Sequence, residues 1–271
     1  MMDRTSLIGN GGGMSHIEVG HSMITFVEPH REHVAEYSRW YEHDHAYAAV
    51  TTAPGCFAYR RFVATRQLKS LRYPDPSAVA DPVDKGSYIS LFWFEKDRVG
   101  EVFDYSFGVT PSLAAAGRMN SDRDHVSTAV YNYLGWTGRG PSAVPAEIAL
   151  DHPWAGMVAV WIRPQAGTPV ADIATWCREK LDTEITSGVG QVGQVLDFVQ
   201  CDFPNGMPAL TGRADELVRC YFLDVDPRDA WGEVFADLGD SVESGGLGRV
   251  ELVAPFIPTI PGTDRYQDEL W

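Results

Sequence analysis

The sequence predicts an α+β protein in which two tandem ferredoxin-like (βαββαβ) repeats form an intramolecular pseudo-dimeric α+β barrel. Three observations predict this fold. The string GEVF occurs twice, at Gly100–Phe103 and at Gly232–Phe235. An apolar, aromatic strand pattern precedes each copy, and further upstream a strand closed by proline leads into a helical pattern containing a tryptophan. These features recur in the same order about 130 residues apart, which is typical of a duplicated domain rather than of a solenoid.

The first repeat reads strand, helix, strand, strand, helix, strand. The strands are rich in β-branched and aromatic residues, and the first helix keeps its apolar residues on one face. The predicted elements are, in order, Met23–Glu28, Glu32–Ala48, Phe57–Thr65, Tyr88–Phe94, Asp97–Tyr105 and His125–Leu134.

The second repeat shows the same order. Its first helix is well marked, because Thr168 can cap it, Pro169 suits its first turn and apolar residues follow with a 3.6-residue period. The predicted elements are Met157–Pro164, Pro169–Leu181, Gln191–Phe203, Val218–Val225, Asp229–Val242 and Arg249–Ile257. The order βαββαβ is typical of a ferredoxin-like sheet with both helices on one face, so two fused copies can cover each other's open faces.

We expect three segments: a flexible tail over residues 1–19, the first repeat over 20–142 and the second over 143–271. The first twenty residues are rich in glycine and lack the layout of a secretory signal. No apolar run is long enough to cross a bilayer. The four cysteines form no C-x-x-C pair, which favours free thiols in a reducing compartment. We therefore expect a cytoplasmic protein.

The composition limits the classes of molecule that the protein is expected to bind. The formal net charge is −15, whereas nucleic acids and anionic membranes are bound through basic surfaces. We expect no nucleic-acid or membrane partner, and instead a small hydrophobic molecule. The chain is expected to be a monomer or a homodimer.

The stretch Glu36–Ala48 concentrates acids, histidines and aromatic residues on the first predicted helix. With a rotation of about 100° per residue, Asp44 falls on the sheet-facing side with the aromatic residues, and His45 falls on its border. A buried carboxylate needs a hydrogen-bond donor or an open cleft. The alternative is that the helix has ended before Asp44, which would then be solvated.

This stretch is better suited to proton transfer than to metal binding. His43 and His45 are two residues apart and cannot converge on one ion, whereas helical zinc ligands are three or four apart. An Asp44–His45 pair beside an aromatic cleft could titrate near neutrality, as general acid–base catalysis requires. The sequence therefore predicts Asp44 and His45 as catalytic residues and no metal site.

The segment "RWYEHDH" followed by "APGCFAYRRF" resembles the EthD-like family of the dimeric α+β barrel superfamily. Trp40, Tyr41, Asp44 and His45 fall on the family's W-Y-x-x-E-H pattern, with aspartate in place of glutamate. The resemblance implies a barrel with a small-molecule cleft between helix and sheet. Relatives in the superfamily include cyclases, isomerases, dehydratases and haem-binding enzymes, so the fold does not define the reaction.

The second repeat is an internal control. Aligning Trp176 with Trp40 places Lys180 at the position of Asp44 and Leu181 at that of His45. A pair required for folding would occur in both copies. The sequence thus predicts a single site, in the first repeat.

Several further residues are candidates for substrate binding. Arginine can hold a substrate oxygen, and aromatic side chains can line a cleft, although aromatic residues on strands also belong to cores. The candidates are His33, Tyr37, Trp40, Tyr41, Arg61, Trp93 and Tyr131.

The leading hypothesis is a cofactor-independent general acid/base enzyme of the dehydratase, cyclase or isomerase type. Its substrate would be a small hydrophobic, aromatic or polyketide-like molecule. One alternative is a non-catalytic accessory protein that carries a hydrophobic intermediate for an oxygenase system. Another is a haem-binding protein that uses one histidine.

Overall fold

The computed structural model describes residues 16–187, 191–204 and 215–271. Most of the predicted tail therefore lies outside the described residues. The strands, numbered in chain order, are β1 (Val19–Pro29), β2 (Cys56–Val63), β3 (Tyr88–Glu95), β4 (Arg123–Gly138), β5 (Gly156–Pro164), β6 (Val192–Cys201), β7 (Leu217–Leu223) and β8 (Gly248–Pro258).

Helical segments follow the first and third strand of each repeat, and one further short helix, Arg66–Lys69, follows β2. The α-helices are α1 (Val34–Trp40), α2 (Arg66–Lys69), α3 (Val99–Ala115), α4 (Val170–Trp176), α5 (Asp182–Ser187), α6 (Pro227–Ala230) and α7 (Leu238–Ser244). Wider π-helical turns continue several of them, at Tyr41–His45, Tyr47–Thr51, Cys177–Leu181 and Trp231–Phe235. Short 3₁₀ turns lie at Arg31–His33, Ala146–Ile148 and Gln267–Glu269.

The described strands form one closed antiparallel barrel in the order β1-β3-β2-β8-β5-β7-β6-β4. Each repeat contributes four neighbouring strands, which confirms the predicted pair of fused ferredoxin-like repeats. Two seams join the repeats. The β4–β6 seam runs from Val130 opposite Cys201 to Gly138 opposite Gln194, whereas the β2–β8 seam has only two residue pairs.

The segment between β2 and β3 covers the edge of β8 that the short seam leaves open. The carbonyl of Tyr73 accepts a hydrogen bond from the amide of Val253 at 2.7 Å. The hydroxyl of Ser77 donates to the carbonyl of Glu251 at 2.7 Å. Uncovered strand edges are sites of unwanted pairing, so this segment completes the barrel where the strands alone do not.

The two repeats meet through large side chains inside the barrel. Phe26 on β1 stacks on Trp161 on β5, with ring centroids 5.6 Å apart. Trp93 on β3 packs against Phe198 on β6 at 5.1 Å. Because side chains alternate along a strand, the neighbouring residues of β1 and β3 face outward, toward the helices of the first repeat.

The helices of both repeats extend beyond their predicted ends. In the second repeat, the first helix continues past Leu181 through α5 to Ser187. The second helix of the first repeat continues to Ala115 rather than ending at Tyr105, although Pro111 lies inside it. A proline within a helix removes one backbone hydrogen bond, which made this extension hard to predict. The first helix also does not end at Ala48, because π-helical turns carry it to Thr51.

In the described ranges, no helix is long and apolar enough to span a bilayer. The four cysteines are free, two of them fully buried and two partly buried.

Candidate active site

A π-helical turn determines which side of the first helical segment reaches the sheet. Over Tyr41–His45 the backbone bonding widens, and the amide of Ala46 donates to the carbonyl of Tyr41, five residues earlier. A π turn rotates less per residue than an α turn. The prediction that assumed 100° per residue is therefore wrong after Trp40: His45 faces the sheet, and Asp44 faces away from it.

His45 lines a small cavity between this helical segment and the sheet of the first repeat. The cavity has a volume of about 50 Å³. Strand residues line one side of the cavity, and residues of the helical segment line the other. The lining residues are Met23, Thr25 and Val27 from β1, Phe92 from β3, Arg123 and His125 from β4, and Tyr41, His45, Ala46 and Val50 from the helical segment.

The cavity contains polar groups with incomplete hydrogen bonding. The buried Nδ1 of His45 has no hydrogen-bond partner among the described residues. The Tyr41 hydroxyl lies 3.4 Å from the Thr25 hydroxyl, and His125 Nδ1 lies 2.8 Å from the Thr128 hydroxyl. Buried polar atoms are normally paired, so the imidazole of His45 has hydrogen-bonding capacity that the folded chain leaves unused.

Both histidines of the cavity are neutral at pH 7. Burial lowers the pKa of His45 to about 4; the nearby Arg123 guanidinium lowers it further, and Asp44 opposes the shift. Burial and Arg123 likewise lower the pKa of His125 to about 4. A neutral imidazole can accept a proton on one nitrogen and donate from the other.

Trp40 holds His45 from the side of the helix. The two rings stack with centroids 4.2 Å apart and an interplanar angle of 22°. The indole N–H of Trp40 donates to the carbonyl of Arg118 at 2.7 Å. Arg118 also binds Asp44 with two hydrogen bonds, one of them 3.0 Å long from Nε. The helix continues through Asp44, so the alternative of an early helix end is wrong.

Arg61 lies outside the cavity and is enclosed by side chains of its own repeat. It donates to Glu42 at 2.9 Å and to the Ser38 hydroxyl at 3.0 Å. Its guanidinium carbon lies 3.8 Å from the ring centroid of Tyr88. Tyr37 is fully buried beside it, with its ring centroid 5.5 Å from the same carbon. Both residues support the helix rather than line the cavity.

The remaining predicted residues lie elsewhere. Trp93 is fully buried inside the barrel, where its indole N–H donates to the carbonyl of Ala146 at 3.1 Å. Tyr131 is also fully buried, and it pairs with Ser22 across β1. His33 is exposed in the 3₁₀ turn before α1. Of the predicted residues, Tyr41 and His45 line the cavity, and Trp40 stacks on His45 beside it.

The second repeat fills the equivalent space with apolar side chains. The prolines that end β1 and β5 align the strands, and both repeats show the same register shift, after Phe26 and after Trp161. The π turns Tyr41–His45 and Cys177–Leu181 align the helices. The polar positions then correspond as follows: Thr25 to Val160, Tyr41 to Cys177, His45 to Leu181, Arg123 to Gly248 and His125 to Val250.

Comparing the two repeats shows which features the fold requires and which occur in the first repeat alone. The π turn occurs in both repeats, so it belongs to the fold. Val160, Cys177 and Val250 are buried in an apolar core, so the fold does not need polar groups at these positions. The polar set of the first repeat is therefore the candidate active site.

Sequence reasoning missed Thr25, Arg123 and His125. They lie on strands whose exact register was not known, and two of them follow a polar loop. A signal was present: position by position, β1 and β4 carry polar residues where β5 and β8 carry valine or glycine.

The cavity has little room for a cofactor. A volume of about 50 Å³ holds a few water molecules, at about 10–15 Å³ each, and not a haem group. Within residues 16–187, 191–204 and 215–271, no three histidine, cysteine or acidic side chains converge as metal ligands.

No family model matches the chain, and no curated protein matches it. Solved structures share its fold. An anthrone oxidase-like protein aligns with a TM-score of 0.52 at 7% identity, covering 90% of this chain and 92% of the other. A DypB variant from Rhodococcus jostii in complex with heme aligns at 0.47 and 9% identity, covering 93% and 95%. The first likeness shows the dimeric α+β barrel fold alone, and membership of the EthD-like family stays a prediction.

Proposed function

We propose that this protein is a cofactor-independent acid–base enzyme whose reaction takes place in the cavity beside His45. One observation carries the proposal: five polar positions around a cavity in the first repeat correspond to apolar residues or glycine in the second. Polar groups that the fold does not need, with an unpaired imidazole nitrogen among them, support chemistry rather than packing.

His45 is the proposed proton acceptor. Its imidazole takes the proton of a C–H bond next to a carbonyl group, and the electron pair of that bond moves onto the carbonyl oxygen. The Tyr41 and Thr25 hydroxyls, 3.4 Å apart, supply hydrogen-bond donors for that oxygen. Returning the proton to another carbon completes an isomerisation. Returning it to a departing β-hydroxyl, which leaves as water, completes a dehydration.

Asp44 has a positioning role in this proposal. It does not line the cavity, but its carboxylate raises the pKa of His45 against the effect of burial. A negative charge near the imidazole stabilises the imidazolium formed when the proton is accepted. Arg118 fixes this carboxylate and, through its carbonyl, the indole on which His45 stacks.

The substrate enters the cavity with its reacting end only, because the volume of about 50 Å³ excludes a complete aromatic molecule. The aromatic rings of Tyr41 and Phe92 line the cavity that the group enters. A hydrophobic carbonyl compound of the aromatic or polyketide-like class fits this setting.

Hydrogen–deuterium exchange tests the proposal without a known product. The protein is incubated in D₂O with a panel of aryl ketones and 1,3-dicarbonyl compounds, and deuterium at the α-carbon is followed by NMR. We expect catalysed exchange with some members. The variant His45→Gln should lower its rate by about 10²–10⁴-fold, whereas His43→Gln, at an exposed neighbouring position, should not. Equal exchange by the protein and both variants would refute the proposal.

A second function, a carrier of small molecules, is favoured by one specific observation. Histidines with a pKa of about 4 are weaker bases than the value near the working pH that suits catalysis best. A ligand that binds in the cavity, keeps binding in His45→Gln and exchanges no deuterium would identify this function.

A further inference from the structure

Among the described residues that line the cavity, Arg123 alone carries a formal charge at neutral pH. Its guanidinium carbon lies 5.0 Å from the ring centroid of Trp40, and its Nη1 donates to the carbonyl of Asn120. Neither partner neutralises the charge.

The neighbouring carboxylates are engaged elsewhere. Arg118 binds Asp44. Asp124 accepts from Lys85 at 3.0 Å and lies 3.3 Å from His30. Among the described residues, no carboxylate lies within ion-pair distance of Arg123, although the whole protein carries a net charge of −15. The cavity is therefore a locally positive site on an acidic protein.

The second repeat has no corresponding charge. Gly248 stands at the position of Arg123, opposite the proline that ends β5. The arginine, like the two histidines, is thus absent from the copy that keeps only the fold. Its position at a partly buried cavity makes its charge more effective than a charge on an open surface.

We propose that the cavity binds an oxyanion of the substrate, held by Arg123 with the neutral imidazoles of His45 and His125 as further hydrogen-bond donors. The substrate class is then acidic carbonyl compounds. They bring a carboxylate beside the carbonyl group, or they ionise to an enolate whose oxygen Arg123 stabilises together with the Tyr41 and Thr25 hydroxyls. The assignment of the bound group as a substrate rests on the proposed function, but anion binding itself does not.

Binding of an anion would also change the pKa of His45, the proposed base. A negative charge beside an imidazole stabilises its protonated form, so a bound oxyanion raises the pKa of His45 from about 4 toward its ordinary range. The base becomes stronger only when an acidic group occupies the cavity.

NMR titration of the imidazole signals tests the inference on the full chain. Acetate is the carboxylate probe, acetamide is its neutral isostere, and 2,4-pentanedione is the enolate probe. We expect acetate or the enolate to raise the pKa of His45 and acetamide to leave it unchanged. The two anionic probes tell which oxyanion the site prefers.

Two variants show whether Arg123 is responsible. Arg123→Gln should weaken binding of the anionic probe at least about tenfold, since charge-assisted bonds are the strongest hydrogen bonds. Arg31→Gln removes an exposed arginine of the 3₁₀ turn before α1 that does not line the cavity, and it should keep most of the affinity. Thermal unfolding of both variants identifies any loss of folding, and Arg123→Lys, which keeps the charge, should restore part of the binding.

The outcomes separate this inference from the proposed function. If neither anion shifts the pKa of His45, if acetamide shifts it equally, or if Arg123→Gln binds as the unchanged protein does, the inference is wrong even when α-carbon exchange occurs. If anions bind through Arg123 while no compound exchanges deuterium, the inference stands and the catalytic proposal fails.

Discussion

Glu42 and Arg61 form a buried ion pair, with 2.9 Å between Oε1 and Nη1, that fastens the π-helical turn of the first repeat to β2. The second repeat reverses the charges. Arg178, from the corresponding turn, pairs with Asp197 on β6 at 2.7 Å. The strand register places Asp197 where Arg61 stands in the first repeat. A helix-to-strand ion pair is therefore common to both repeats, whichever residue carries each charge.

The first prediction concerns the stability that this pair provides. Arg61→Met should lower the free energy of unfolding by about 3–5 kcal/mol, because it leaves the Glu42 carboxylate buried without its partner. Urea denaturation measures the change. A loss below about 1 kcal/mol would show that this pair contributes little to the stability of the fold.

Reversing the pair is the matched control. The double variant Glu42→Arg with Arg61→Asp gives the pair the charges of Arg178 and Asp197, so it should be more stable than Arg61→Met. It lacks the second partner of Asp197, which also pairs with Arg219 at 2.7 Å. Recovery should be incomplete, because Glu42 also accepts a hydrogen bond from the amide of Gly262 at 2.9 Å. A double variant less stable than the single one would show that the two ion pairs are not equivalent.

The stability of the folded chain should depend on pH through His45 and His125. His45 and His125 have pKa values of about 4 in the folded chain, against 6.5 for an unperturbed histidine. Between these values the unfolded chain binds more protons than the folded chain, so stability falls as the pH falls from about 6.5 toward 4. His45 accounts for at most on the order of 3 kcal/mol, and His125 for less, because it is more exposed and solvent screens its interactions.

Urea denaturation at pH 7 and at pH 4.5 measures this effect. The variant that combines His45→Leu and His125→Val should lose less stability between the two pH values than the unchanged protein does. Identical pH dependence would show that these histidines are accessible to protons in the folded state.

The third prediction concerns the fused barrel. We propose that the first repeat ends near residue 142, and a fragment covering residues 1–142 would lose the partners of Phe26 and Trp93 on β5 and β6. It should aggregate, self-associate or reassemble with the fragment 143–271, because it exposes a large apolar sheet face. Analytical ultracentrifugation distinguishes these states, and a stable monomeric fragment would contradict the account.

The sequence predicted the barrel because hydrophobic periodicity and the duplicated pattern are local signals. The strands of each repeat differ from their predictions mainly at the ends, as in β1, which begins at Val19 rather than Met23. The extension of α3 past Pro111 was missed because proline normally marks a helix boundary.

The site was predictable only in part. His45 follows from the motif and from its contrast with Leu181. The inward position of His45 and the outward position of Asp44 depend on a π turn, which no local sequence pattern predicts. Arg123 and His125 join the site through strand pairing with β1, a relationship between residues about one hundred positions apart.

A variant that copies the polar positions of the second repeat into the first should lose α-carbon deuterium exchange if the cavity beside His45 is the active site. Thr25→Val, His45→Leu and His125→Val together place in the first repeat the residues found at Val160, Leu181 and Val250. We predict a folded protein, at least as stable as the original at pH 4.5, that exchanges deuterium no faster than solvent alone. Exchange at the rate of the unchanged protein would contradict the claim that the cavity of the first repeat is the active site.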